Sequence, residues 1–482
     1  MKHCVISLLA LWCLLSCTPV PENVSIIEEP APIYPDYRDI TIPQNIAPLN
    51  FLLRTDCEAV EVRVEAPEVI DPYQKSIKVN ARGNEVVFGM DEWKALLKEA
   101  AGKPLYVTVT ALVDGKWIQY QRFQWDVVKD EIDPYLTYRL IEPDYEIWNH
   151  LQIQQRCVEN FEVNALGHYE QLDNRCMNCH TFGSQDPNLS MMYVRGAGGG
   201  AILNQGGKLS KLDIPGSVYF GFSPTGRYIV YSTNKIIPAF HSDASKRLEV
   251  YDSESNIFVA DLEKQRIISS PLLSDSLHFE TFPTFSPDGK HIYYCVADSV
   301  SLPSEIKKLR YSLVRIGFDE ATGTIGTQVD TLVNYKDASV CHPRISPDGR
   351  YLLYTVADYG TFPIWHPEAD LQMMDLQTGR IDTLGVVNSA KSDTYHSWSS
   401  NSRWFVFASK RDDGLYGKPY YCYIDANGRA KKPFCLPQQH PQFYDNCLKS
   451  FNAPEIGKGK VPFDVDDVAR AMQQEARHFT LP

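Results

Sequence analysis

The chain has no basic cluster longer than the pair Lys431-Lys432, and its formal net charge is −13. Proteins that hold nucleic acid neutralise phosphates with clustered Lys and Arg, so no nucleic acid is expected as a partner. Beyond residue 17 no apolar run reaches the roughly 20 residues that a membrane-spanning helix needs. A zinc ribbon needs two close cysteine pairs, and only one is present. The glycine-rich stretch Arg195-Gly196-Ala197-Gly198-Gly199-Gly200 lacks the Lys-Ser/Thr of a phosphate-binding loop and reads as a turn. Neither a Ser-His-Asp arrangement nor a carboxylate pair with supporting spacing can be picked out, so the sequence leaves open whether the protein is an enzyme.

What is there points to β-structure. Of 482 residues 44% are hydrophobic, 12% aromatic and 22% charged, a balance that suits a folded, tyrosine-rich β-protein of two or three domains. The first residues carry an export signal. Lys2 is a positive start, Val5 to Leu15 an apolar stretch too short to span, and Leu14-Leu15-Ser16-Cys17 reads as a lipobox. The Cys17 thiol is then the acceptor for a diacylglycerol anchor. An uncleaved signal anchor is opposed by the short apolar stretch and by Thr18-Pro19-Val20-Pro21. The expectation is an exported bacterial lipoprotein, tied to a membrane through Cys17, facing the periplasm and sitting on the outer membrane.

The chain divides, on this reading, into a signal and lipobox (1–17), a proline-rich tether (18–38), a β-sandwich-like domain (39–130), a segment of first propeller strands with an insertion (131–215), a repeat region (216–440) and a tail with a short helix (441–482). Alternating runs such as Val60-Glu61-Val62-Arg63-Val64 mark half-buried strands in the second domain. Asp91 is placed as the N-cap of a helix there, with Trp93, Leu96 and Leu97 on its apolar face.

The second half repeats. Phe222-Ser223-Pro224-Thr225-Gly226 returns as Phe285-Ser286-Pro287-Asp288-Gly289 and as Ile345-Ser346-Pro347-Asp348-Gly349, and in a degenerate copy as Trp398-Ser399-Ser400-Asn401-Ser402. In such a turn Pro presets φ, Asp bonds the backbone two residues on, and Gly takes the positive φ. A strand follows every copy, and an Asp-containing strand and turn follow most. This pairing resembles the PD40 repeat of TolB-like β-propellers over about Gly216 to Pro437. The resemblance implies a mainly β fold with about six blades, the extra blades drawn from runs near Leu136 to Gln154 and Met192 to Leu203.

One motif carries chemistry. Cys176-Met177-Asn178-Cys179-His180 is a Cys-x-x-Cys-His sequence, the attachment signature of c-type haem. Two thiols reach the two vinyl groups of one porphyrin edge, and the histidine lies against the ring face as proximal iron ligand. Half a zinc site, a thiol redox pair or a structural pair are the competing readings. Gly183, Pro187 and the glycines from Gly196 break helices, so the motif is expected in an insertion of roughly 159–211 packed on the propeller. A monohaem motif beside a PD40 propeller looks like a family of envelope lipoproteins in which the two occur together.

Met191 and Met192 shortly after the motif and His168 shortly before it are candidates for a distal ligand, as are His342 and His396, which precede the repeat serines Ser346 and Ser399. Two functional readings follow. In one, the protein is a membrane-anchored monohaem cytochrome-like protein with one covalent haem c, working in electron transfer or haem redox chemistry with a redox partner. In the other, it is a non-catalytic propeller module that binds envelope proteins, with a structural or zinc-binding cysteine pair.

Overall fold

A computed structural model describes residues 19–66, 76–142, 150–214, 216–240 and 248–481, apart from the side chains of Asn178, Cys179 and Phe240. Cys17 lies outside the described residues. None of the described helices is long and apolar enough to cross a membrane. The chain forms two compact units: residues 1–131, 159–161 and 434–447, and residues 132–158, 162–433 and 448–482.

The first unit holds a seven-stranded sheet and a three-stranded sheet, Ile33–Tyr34, Phe51–Leu53 and Glu85–Val86. Its core is aromatic. Trp93 and Trp125 are fully buried edge to face, 5.5 Å apart, and their indole N–H groups donate to the carbonyls of Ile46 and Tyr37. Two expectations change here. Residues 25–30, read as tether, form an exposed strand parallel to Lys116–Gln121. The helix runs Met90–Ala100 from Gly89, so Asp91 sits inside the first turn, where its charge faces the positive end of the helix dipole, and does not cap it.

The second unit is mainly β and is a six-bladed β-propeller. Blade one combines Tyr135–Ile141, Gln152–Cys157 and Val163–His168 with Ser450–Gly457. Blade two runs Met177–Phe182, Leu189–Val194, Gly200–Gln205 and Lys208–Asp213. Blades three to six begin with Ser217–Phe222, His278–Phe285, Ser339–Ile345 and Asp393–Trp398. These four first strands, with Met177–Phe182 and Ser450–Gly457, touch one another in cyclic order, which closes a ring around a central channel.

The repeated turns build this ring locally. Ser223, Ser286, Ser346 and Ser399 each donate a backbone N–H to the carbonyl five residues on, at 2.7–2.9 Å. Gly226, Gly289 and Gly349 take φ near +70°, and Ser402 stands in their place at φ +59° in the degenerate copy. That copy has lost the Asp of Ser-Pro-Asp-Gly. Asp133, from blade one, stands in: its carboxylate accepts from Ser399 Oγ at 3.0 Å, Ser400 N–H at 2.6 Å and Ser400 Oγ at 2.8 Å.

Two further expectations are corrected. The stretch 159–211 is no insertion: Gly183 and Pro187, and the glycines from Gly196 to Gly200, are hairpin turns inside blade two, so the helix breakers separate strands. The segment 441–482, read as a tail with a short helix, instead supplies Ser450–Gly457 as the innermost strand of blade one. The tail's helix, expected over about 464–477, runs Val465–Met472 with Asp464 as a capping-box N-cap.

Candidate functional site

Each innermost strand carries an irregularity at the same level. The pairing register shifts between Asn178 and His180, Val218 and Gly221, Thr281 and Thr284, Cys341 and Arg344, and Thr394 and Ser397, and in blade one around Ala453. An extra residue in a strand bends it and re-aims a side chain. Tyr219, Phe282, His342, Tyr395 and Ala453 at these points all have φ between +47° and +54°. Left-handed backbone at bulky residues costs of order 1–3 kcal/mol each and persists where the surroundings impose it, often at functional sites.

The bulges converge on one cavity of about 570 Å³ within the propeller, a size usual for a cofactor site. Cys176 and His180 are on its wall, with His342, Tyr219 and Tyr395. His342 is wedged among rings, with Phe282 at 4.1 Å, Tyr395 at 4.6 Å and Tyr219 at 6.0 Å between centroids. Apolar lining comes from Phe220 and from a long hairpin of blade three, Tyr228–Phe240 and Leu248–Asp261. Tyr359 anchors this hairpin by donating its hydroxyl to Glu249 at 2.7 Å, and Phe362 and Trp365 pack on it. Among the described residues five cations line the same cavity, Arg139, Arg175, Arg195, Arg344 and Lys410, against one carboxylate, Glu142.

The motif sits on a strand. Met177 is buried in the core shared with Ile153 and Met192, which pins one face of the strand, and the bulge at Cys179 turns His180 toward the cavity. Glu455 clamps the strand from blade one: its Oε1 accepts from Phe182 N–H at 2.9 Å and Thr181 Oγ1 at 3.2 Å. Burial raises the Glu455 carboxyl to about 7. Burial, then the charge of Arg139, push the His180 imidazole down to about 4, against the carbonyls of Thr137 and Ala453. At neutral pH the ring is therefore uncharged, the form that has a lone pair to give a metal. His180 Nε2 is buried and makes no hydrogen bond.

His342 is 6% exposed, and both of its ring nitrogens are buried without a hydrogen bond. Burial first, then His396 and Arg344, hold it well below the usual histidine range. The other sequence candidates lie elsewhere. Met191 packs with Phe220 and Phe222, and Met192, on the opposite face of the same strand, with Ile153 and Met177. His168 ends the outermost strand of blade one. His396 follows the bulge residue Tyr395, so it points away from the cavity, and its Nε2 meets the Leu353 carbonyl at 3.0 Å. The Cys179 side chain lies outside what the structure describes. The five cations were not singled out from sequence, because they come from five separate segments with no local pattern.

The residues fit a covalently held haem in four respects. A motif thiol and the motif histidine share one cavity; the histidine keeps an unpartnered nitrogen; apolar walls match a porphyrin face; and the cations match its two carboxylates.

The fold and this channel define the class, a six-bladed β-propeller with a largely apolar, cation-lined cavity at its centre. No protein-family model matches the chain, and no curated protein matches it. Among solved structures it is similar to prolyl oligopeptidase B from Galerina marginata, bound to a 35mer substrate, at 11% identity and a TM-score of 0.36, covering 68% of this chain and 42% of that one. It is also similar to Synechocystis apocarotenoid oxygenase, at 12% identity and a TM-score of 0.39, covering 84% and 92%. Oligogalacturonate lyase in complex with manganese is similar at 12% identity and a TM-score of 0.32, covering 53% and 78%. The chain spans less than half the length of the prolyl oligopeptidase.

Proposed function

We propose that this propeller is a c-type haem protein of the bacterial envelope, lipid-anchored through Cys17, with one haem joined to Cys176 and Cys179 and held in the central cavity. The observation that carries the reading is that Cys176 and His180 face one cavity while His180 Nε2 is buried without a partner. A buried polar atom left unsatisfied costs about 1–3 kcal/mol, and a metal ion is the partner that a lone pair in this position accepts. When bound, the haem supplies one-electron redox chemistry at iron. His180 would hold the iron, Glu455 keeps the His180 strand in register, and Arg139, Arg175, Arg195, Arg344 and Lys410 would neutralise the haem carboxylates. The apolar hairpin and the rings around His342 exclude water.

Of the five distal candidates, His342 is the one on the cavity wall, and it is the residue that would supply a second ligand to a bound haem. Coordination there makes the protein an electron carrier for an envelope redox partner. The test is the absorption spectrum of the matured protein beside His342→Phe. The wild type is expected to show a bis-histidine low-spin haem, and the variant a high-spin one. Without haem, the variant is expected to gain about 1 kcal/mol in urea unfolding, because two unpaired buried nitrogens are removed. An unchanged haem spectrum in the variant overturns the assignment, and the absence of any haem band in matured wild type overturns the function. The second reading, a propeller that only binds envelope proteins, is favoured by that last outcome.

A further inference from the structure

A separate cluster lies on the loop that leads into blade four and owes nothing to the haem reading. Asp275, His278 and Glu280 bring one ligand atom each to within 4.8 Å of one another. Asp275 is already shaped for this: Oδ1 accepts from the backbone N–H groups of Leu277 at 2.7 Å and His278 at 2.9 Å, while Oδ2 meets His278 Nδ1 at 2.8 Å. On the far side of the ring, His278 Nε2 is 3.6 Å from Asp298 Oδ1. Those contacts alone would describe a tight turn.

Glu280 goes further. It is 2% exposed, and its Oε2 is buried with no hydrogen-bond partner. Among the described residues no lysine or arginine pairs with Asp275, Glu280 or Asp298, so three carboxylates meet around one imidazole. Burying a carboxylate oxygen without a donor or a counter-charge is costly.

We propose that Asp275, His278 and Glu280 bind a divalent transition-metal ion. One imidazole among carboxylates suits Zn²⁺ or Mn²⁺ better than a thiolate-seeking metal. The ion would pin the loop between blades three and four to the buried root of blade four, as a structural clip.

The experiment titrates ZnCl₂ into the full chain carrying Cys176→Ala and Cys179→Ala, so that neither the motif thiols nor haem contribute, with and without Glu280→Gln. One saturable site is expected, weakened at least about tenfold by Glu280→Gln, with a Zn²⁺-dependent rise in Tm seen in the parent alone. His278→Asn changes a half-exposed residue and is expected to lose the same binding even if the Glu280 variant folds poorly. Where the Cys176→Ala/Cys179→Ala chain does not fold, Mn²⁺ titrated into the wild type and read by electron paramagnetic resonance gives the same comparison. Equal affinity in parent and variants marks adventitious surface binding only, and either that or no saturable binding overturns the proposal.

Discussion

A chain ended after Lys449 is expected to lose the cooperative unfolding of the propeller altogether. The deletion removes Ser450–Gly457, which pairs with Tyr135–Ile141 and touches the first strands of blades two and six, so the ring is left open at blade one. Tyr135–Ile141 would then expose an unpaired edge along a buried strand. Glu455, which holds the motif strand, goes with it. Single substitutions give the graded version. Phe451 is 1% exposed and its ring lies 4.7 Å from that of Tyr138, so Phe451→Ala is expected to cost about 3–5 kcal/mol. Urea unfolding followed by tryptophan fluorescence and far-ultraviolet circular dichroism checks both. A truncated chain that keeps the wild-type transition would mean that the ring closes without this strand.

The second large effect falls on His180. In His180→Gly the haem joined through the two cysteines is expected to lose its histidine-ligated spectrum, and millimolar imidazole is expected to restore it by filling the space left in the cavity. Glu455→Gln serves as the positioning control. It leaves a side chain of the same shape at Thr181 and Phe182, and is expected to shift the spectrum slightly without any response to imidazole. A His180→Gly protein whose spectrum matches wild type before imidazole is added would remove His180 from the iron.

How much of this was legible in the sequence follows from where each signal is stored. Four blades announce themselves because their first turn is local: Ser, Pro, Asp or Thr, and Gly within four residues fix φ values and hydrogen bonds in three copies, while the degenerate fourth, Ser399 to Ser402, is completed by Asp133. Blade two lacks the repeated turn: its strands near Met192 to Leu203 were legible, but its corresponding turn, Gly183 to Asn188, uses other residues, and its glycines looked like the breaks of an insertion. Blade one was legible in two of its strands, Tyr135–Ile141 and Gln152–Cys157, but not in its closure. Its innermost strand arrives from more than three hundred residues away, and no local pattern encodes a pairing of Leu136 with Ile456. The same holds for the site. Cys176 and His180 are adjacent in sequence and readable as a motif, and His342 could be noticed only by its position before a repeat turn. The cations Arg139, Arg195, Arg344 and Lys410, and the carboxylate Glu455, meet only because six bulged strands converge.

The measurement that bears most directly on the central claim is a denaturing gel stained for haem peroxidase activity. The full chain would be exported in a host with c-type maturation, beside Cys176→Ala/Cys179→Ala. A stained band in the wild type alone, at the mass of this chain, is the predicted result, with the haem-bearing peptide spanning Cys176 to His180. A folded, fully matured wild type that takes no stain would contradict the account and leave a propeller whose central cavity serves another ligand.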